Sequence, residues 1–349
     1  MLKIEKQGII LGPTENPFEN ESVLNPAIVQ VGETIHMFYR ATSTGNKSSI
    51  GYARLDGPLD IVERDTKPII SPTEDYEVHG VEDPRVVLFE GLYYMFYTAY
   101  DGYNAKIAYA VSKDLKNWEK KGIISPKIKY KFAANNYFKN SKIKADYYKF
   151  EEFYTYKGNI DLDIWDKDAF IFPERFDNKI ALIHRILPDI QIAFADNLED
   201  FQKEDYWTDY VSHLNEHILM EGTLSHESRS IGAGAPPIKT QAGWLLIYHS
   251  VKEVNNKKFY LACAALLDLN NPRIVIGKLQ HPLLRASFPW EKGGVLGKTT
   301  EVVFPTGTAI FDDELYIYYG TADTHIAVGS VKIEELLHKL TSQSSKVNL

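Results

Sequence analysis

The 349 residues are 44% hydrophobic and 25% charged, with a raised 13% aromatic share, the balance of a globular chain that can bury a large core. A formal net charge of −8 argues against nucleic acid as the main partner, since such binders present a basic face. No run of about 18 apolar residues offers a membrane span.

The start, MLKIEKQGII, lacks the apolar stretch of a signal peptide, so a cytoplasmic protein is expected. Two average domains would fit this length, but all-β folds routinely take it as one. A repeat running through nearly all of it favours a single domain over residues 1–349.

In chain order the repeat reads NPAIVQVGETIHMFYR, EDPRVVLFEGLYYMFYT, KDAFIFPERFDNKIALIHR, APPIKTQAGWLLIYHS and FPTGTAIFDDELYIYYG. Each copy is a strand, a tight turn and a second, aromatic strand, with Gly32, Gly91, Asn178, Gly243 and Asp312-Asp313 at the turns. A third strand follows in each: SIGYARL, KIAYAVS, IQIAFAD, FYLACAALLD and HIAVGSV. Units that bury their faces only against neighbours form radial arrays, so the expected fold is all-β, a five-bladed β-propeller.

SKDLKNWEKKGIISP and ADNLEDFQKED read as polar outer strands with return loops. An insertion at about 127–163 carries ten Phe or Tyr residues between Tyr130 and Tyr156, too aromatic for a disordered linker. It is expected to pack on the domain or on another subunit, which makes a homo-oligomer an expectation. A second insertion spans about 203–229. VKIEELLHKL, with Ile333, Leu336, Leu337 and Leu340 at helical spacing, predicts one short C-terminal helix. Lone Cys263, inside LACAALLDL, reads as a buried small hydrophobe.

In a propeller the inner strands share one mouth, so equivalent positions of different repeats converge. At the strand entries lie Asn25, Asp83 with Arg85, Lys167 with Asp168, and Pro236-Pro237; at the exits lie Arg40, Thr98, Arg185, His249 and Asp323. Asp83 opens an apolar strand aimed at the channel and is the first candidate for acid catalysis, although Asp before Pro also serves as a turn former. Glu82 reads as a sugar-hydroxyl ligand or a strut. Lys167, Arg185, Arg40 and Arg229 offer cations for an oxyanion, or pair with neighbouring acids. Tyr97, Tyr103, Tyr248 and Tyr319 suit stacking on sugar rings, though aromatics at such spacing are mostly core.

His213, Glu216 and His217 spell H-x-x-E-H, which makes a zinc site only if a helix presents both imidazoles. An all-β setting argues against that. The chain has no P-loop, dinucleotide fingerprint, G-x-S-x-G or cysteine pair, so neither cofactor nor metal is expected.

GVEDPRV, YYMFYTAYDG, KDAFIFPERF, IHR, IGAGAPPIKTQAGWLLIYH, ALLDLNNP, VVFPTG and IYYGTADT resemble, in order over about residues 20–330, glycoside hydrolase family 130, the β-mannoside phosphorylases and related β-mannosidases. The resemblance implies a five-bladed propeller and an inverting reaction in which Asp83 protonates the leaving oxygen through a sugar hydroxyl. Inorganic phosphate, a co-substrate, then yields α-mannose 1-phosphate from a small β-mannoside. It also implies a phosphate site at Lys167, Arg185 and His249. Convergence at the mouth, with residue chemistry, makes Asn25, Arg40, Glu82, Arg85, Tyr97, Asp168 and Asp323 the candidate substrate contacts.

Many members carry Lys before IGAG, where this chain has Ser230. Two openings follow: Arg229 as the replacement cation, or Glu227 as the base of an inverting hydrolase, which needs a second carboxylate. Three retained cations favour phosphorolysis. A sugar-binding propeller without chemistry is the reading from a different class.

Overall fold

The computed structural model describes residues 2–139, 142–151, 154, 162–293 and 299–342. Strand β1 (Glu5–Leu11) is followed by five antiparallel units. The first is β2 (Ser22–Val31), β3 (Thr34–Ser43), β4 (Lys47–Asp56) and β5 (Asp60–Arg64); the second is β6 (Gly80–Phe89), β7 (Leu92–Tyr100), β8 (Ala105–Ser112) and β9 (Glu119–Ile123). The third comprises β10 (Asp166–Ile171), β11 (Ile180–Ile186), β12 (Ile190–Ala195) and β13 (Ile218–Met220). The fourth has β14 (Ser230–Ala233), β15 (Ile238–Thr240), β16 (Gly243–Val254), β17 (Lys257–Leu267) and β18 (Val275–Lys278); the fifth has β19 (Thr299–Phe311), β20 (Glu314–Thr321) and β21 (His325–Lys332). Short parallel pairings, Ser48 with Gly80 and Lys258–Tyr260 with Thr299–Val302, link units, so the strands form sheets of eight, four and nine.

The turn chemistry falls where the sequence puts it. Gly32, Gly91, Asn178, Gly243 and Asp312 all have positive φ, the backbone that tight hairpins demand and that Gly, Asn and Asp tolerate best. β1 has no counterpart in the repeat; it pairs antiparallel with β21 and gives the fifth unit its outer strand.

Apolar cores lie between units. Phe38, Tyr52, Val86 and Met95 join the first to the second, and Leu245, Ile247, Ile317 and Tyr319 join the fourth to the fifth. Val23, Ile28, Tyr39, Ala309, Tyr318 and Ile326 join the first to the last.

The aromatic insertion contributes helix α1 (Tyr130–Lys139) and a 3-10 turn over Ala145–Phe150. Tyr130, Tyr137, Tyr147, Phe150 and Tyr154 are buried in the chain's own large core, so these rings are taken up within the chain rather than offered to a partner. Each such ring contributes about 1.5–3 kcal/mol by burial. Residues 140–141, 152–153 and 155–161 of the insertion lie outside the described residues.

Two expectations change. ADNLEDFQKED forms a 3-10 turn over Leu198–Gln202 and starts helix α2 (Glu204–Ser212); the outer strand of the third unit is β13, within the second insertion. The C-terminal helix, α3 (Ile333–Ser342), buries Leu336 and Leu340 as its spacing requires, but with α1 and α2 it is one of several helices.

Candidate active site

The first strands of three units lose register at one equivalent step, after Leu24, after Glu82 and after Lys167, and that of the fifth one residue later, after Pro305. A bulge bends its strand and re-aims one side chain. At three of these steps sit Asn25, Asp83 and Asp168, with φ of 51°, 50° and 56°. Non-glycine residues in this region are uncommon and Asn and Asp are the types that tolerate it, at about 1–3 kcal/mol of stored strain. In the fourth unit the break separates β14 from β15. The residue brought to the site there is Gly232, opposite His249. Pro236 and Pro237 lie in the break itself, because the inner strand starts earlier, at Ser230, than the proline signal suggested.

At the equivalent register of the second strands, the cross-strand partners are Leu24 with Arg40, Glu82 with Thr98, Lys167 with Arg185, Gly232 with His249 and Phe304 with Gly320. These steps surround a cavity of about 200 Å³ whose polar wall includes Asn25, Arg40, Asp83, Lys167, Asp168, Arg185 and Asp323. Leu24, Tyr260 and Phe304 supply its apolar side. Glycine is required where backbones crowd: a Cβ on Gly320 would lie 2.2 Å from Asn25 Oδ1, and one on Gly232 would lie 2.5 Å from Asp168 Oδ2.

Asp83 accepts a hydrogen bond from Asn25 Nδ2 at 2.7 Å, and Arg40 Nη1 stands 3.5 Å from the same oxygen. Burial pushes its carboxyl up, but Arg40, Lys167 and Arg85, with the Asn25 amide, outweigh burial and hold it below its ordinary value. Asp83 is therefore ionised at neutral pH.

Glu82 bridges two cations, accepting from Arg40 Nη2 at 2.9 Å and from Lys167 Nζ at 3.4 Å. It is the strut of its two sequence readings. Arg85, fully buried, donates to the Asp83 carbonyl at 2.7 Å and to the Gly234 carbonyl at 2.5 Å, with Asp168 Oδ1 3.6 Å away. It braces the strand turns under the cavity rather than reaching a substrate, because its guanidinium satisfies carbonyls freed by the bulges.

Arg185 Nε lies 3.1 Å from Asp168 Oδ2, out of line for a hydrogen bond, and Arg185 Nη1 donates to His249 Nε2 at 3.3 Å. His249 is fully buried and tilted against Phe304 at 4.3 Å. Burial, the main influence, and the charges of Arg185 and Arg85 pull its imidazole down to about 3 against the attraction of Asp168. His249 is thus a neutral acceptor that orients Arg185, not a third cation.

Three expected site residues stand elsewhere. Arg229 pairs with Glu253 and lies over the Phe150 ring at 5.2 Å, outside the cavity wall. Tyr97 buries its hydroxyl and donates to Glu77 at 3.2 Å. Glu227 accepts from Tyr248 at 2.7 Å, from Lys278 at 2.9 Å and from the Thr223 and Leu224 amides. Neither oxygen is left to activate water, so the hydrolytic base assigned to it is withdrawn.

Glu227 and Tyr97 belong to a clamp that recurs in four units. Tyr39, Tyr97, Tyr248 and Tyr319 donate to Glu19, Glu77, Glu227 and Glu291, and each glutamate also meets a cation, Arg64, Lys120, Lys278 or Lys6. Strand alternation explains the division: each tyrosine points away from the cavity, one residue before Arg40, Thr98, His249 or Gly320.

The H-x-x-E-H segment does not form a helical site. α2 ends at Ser212, and His217 stacks flat on Tyr210 at 3.9 Å, where burial pulls its imidazole down to about 4.

Tyr260 and Phe304 were missed. Their only signal is placement: β17 and β19 run parallel, with Tyr260 beside Val302, a long-range pairing between units. Ser48, which accepts from Arg40 Nε at 2.9 Å, was missed for the same reason.

A sequence model of glycoside hydrolase family 130, described as beta-1,4-mannooligosaccharide phosphorylase, matches residues 4–342. A 1,2-beta-oligomannan phosphorylase of Thermoanaerobacter sp. (strain X514) is 33% identical, over 96% of this chain and 99% of that protein. A beta-1,2-mannobiose phosphorylase of the same organism is 34% identical, over 94% of this chain and 96% of its own length. The fold is similar to that of beta-1,2-mannobiose phosphorylase from Listeria innocua, solved with beta-1,2-mannobiose: the TM-score is 0.71 at 22% identity, covering 98% and 100% of the two chains. With its sequence matched from end to end by that family's model, the chain belongs to glycoside hydrolase family 130.

Proposed function

We propose that the chain is an inverting β-mannoside phosphorylase acting on short β-1,2-linked mannosides, with α-mannose 1-phosphate as product. Phosphate oxygen attacks the anomeric carbon, the glycosidic C–O bond breaks, and the leaving oxygen takes a proton that Asp83 supplies through a sugar hydroxyl. The β-1,2 linkage rests on the two nearly full-length relatives.

The observation that carries the reading is Lys167 facing Arg185 across β10 and β11 at the cavity wall. Each cation meets one carboxylate, Glu82 or Asp168, and a bound dianion bridges the pair through charge-assisted hydrogen bonds. Phosphate there also offsets the positive field that keeps Asp83 ionised, so the acid takes up a proton from solvent as the nucleophile binds. Tyr260 and Phe304 offer apolar surface to the sugar ring, and Asn25, Arg40 and Asp323 offer hydrogen bonds to its hydroxyls.

The five units are the blades of one propeller domain; the core shared by the first and last units and the β1–β21 pairing support ring closure. Its charged product suits an enzyme of the cytoplasm.

The test is product analysis on β-1,2-mannobiose. Mannose 1-phosphate should form only when inorganic phosphate is supplied. Equal turnover to free mannose in phosphate-free buffer would sink the reading in favour of hydrolysis.

A further inference from the structure

Four units carry a tyrosine on the second strand one residue before the cavity position; the third unit carries His184 there, immediately before Arg185. His184 and Asp166 are fully buried, and His184 Nδ1 lies 2.9 Å from Asp166 Oδ1. On the other side His184 Nε2 lies 2.8 Å from the Tyr210 hydroxyl, which donates to the Ile192 carbonyl at 3.2 Å. The Tyr210 hydroxyl thus meets both His184 and the Ile192 carbonyl, and His184 is held at both ring nitrogens.

Its position gives it a task. Asp166 and Lys167 are the only β10 residues on the near side of the Asp168 bulge, and the chain before them emerges from the aromatic insertion. Lys167 thus stands opposite Arg185 on a two-residue strand end that pairs with β11 only through Ile186 and Arg185. By alternation Asp166 and His184 lie behind these two cations, on the opposite face of the same pair of strands. Their bond ties the strand end to β11, and Tyr210 ties both to α2. The lock does this from outside the cavity wall.

We propose that His184, with Asp166 and Tyr210, is the positioning device of the phosphate site, holding Lys167 and Arg185 at the spacing that binds the anion; this rests on the phosphorylase reading. These residues touch no substrate and act through the cation pair.

The experiment compares Tyr210→Phe with Tyr319→Phe, which removes a buried tyrosine hydroxyl from the clamp of the fifth unit. Both variants should melt lower than the parent. Only Tyr210→Phe should raise the KM for phosphate, by about tenfold, as supporting groups behind a binding site do, with the KM for β-1,2-mannobiose within about twofold. Calorimetric titration with inorganic phosphate should give a matching loss of affinity, and His184→Gln a larger one. An unchanged phosphate KM in Tyr210→Phe, or an equal rise in Tyr319→Phe, would overturn the assignment. Parent turnover indifferent to phosphate would overturn the phosphorylase reading, and this one with it.

Discussion

Asn25 and Asp83, 58 positions apart, adopt the same left-handed backbone at the same step of successive units, and the Asn25 amide donates to Asp83 Oδ1 at 2.7 Å. Strained backbone is repeated here because it turns a short polar side chain inward from a strand that would otherwise present it sideways.

Asp83→Asn tests that arrangement. Asparagine tolerates the same φ, so thermal unfolding should show a folded protein. With no proton to give, kcat/KM for phosphorolysis should fall by about 10²–10⁴-fold. Product release measured at saturating phosphate checks this; parental turnover would remove Asp83 from the role of acid.

Gly232→Ala probes close packing around Asp168. The added methyl would lie 2.4 Å from His249 Cε1 and 2.5 Å from Asp168 Oδ2. A loss of about 1–3 kcal/mol in denaturant unfolding is expected, together with a higher KM for phosphate as Arg185 loses its orientation.

Burial pulls the His249 imidazole down to about 3 in the fold, against 6.5 as its ordinary value. The unfolded chain therefore takes up this proton first. Stability from keeping His249 neutral is fully present above about pH 6.5 and is lost as pH falls from 6.5 toward 3, by ~1.4 kcal/mol per pH unit. His249→Gln should flatten the fall of melting temperature over that window. An unchanged slope would assign the acid sensitivity to other groups.

Glu227→Gln separates clamp from chemistry. Removing the charge leaves Lys278 buried without its partner, so about 3–5 kcal/mol of stability should go. The folded fraction, assayed well below its melting transition, should keep the parental kcat for mannose 1-phosphate formation. Loss of kcat with stability intact would return Glu227 to the reaction.

Much of this was legible because a strand has a period of two. Once MFYR, LIHR and LIYH were aligned as one phrase, Arg40, Arg185 and His249 fell on one step, and the register bears that alignment out. The turn residues were equally readable, since positive φ restricts residue type. The clamp left a trace that went unread: the acid precedes its tyrosine by 20 residues in Glu19–Tyr39 and Glu77–Tyr97 and by 21 in Glu227–Tyr248. Against that spacing Glu227 was already a member of a series rather than an exception. Tyr260 and Phe304 were beyond reach, because their meeting depends on how two units sit side by side. The neutral state of His249 follows from burial, and no motif encodes burial.

The pairing of β1 with β21 has a consequence for the order of events during synthesis. The outer strand of the fifth unit is made before the other strands described, while its partner, along with Gly320 and Asp323 of the cavity wall, is made after the first four units. A nascent chain can lay down unit after unit behind the ribosome, but Glu5–Leu11 must wait unpaired until His325–Lys332 has emerged. The cavity is therefore finished in the same step that fastens the first of these strands to the last.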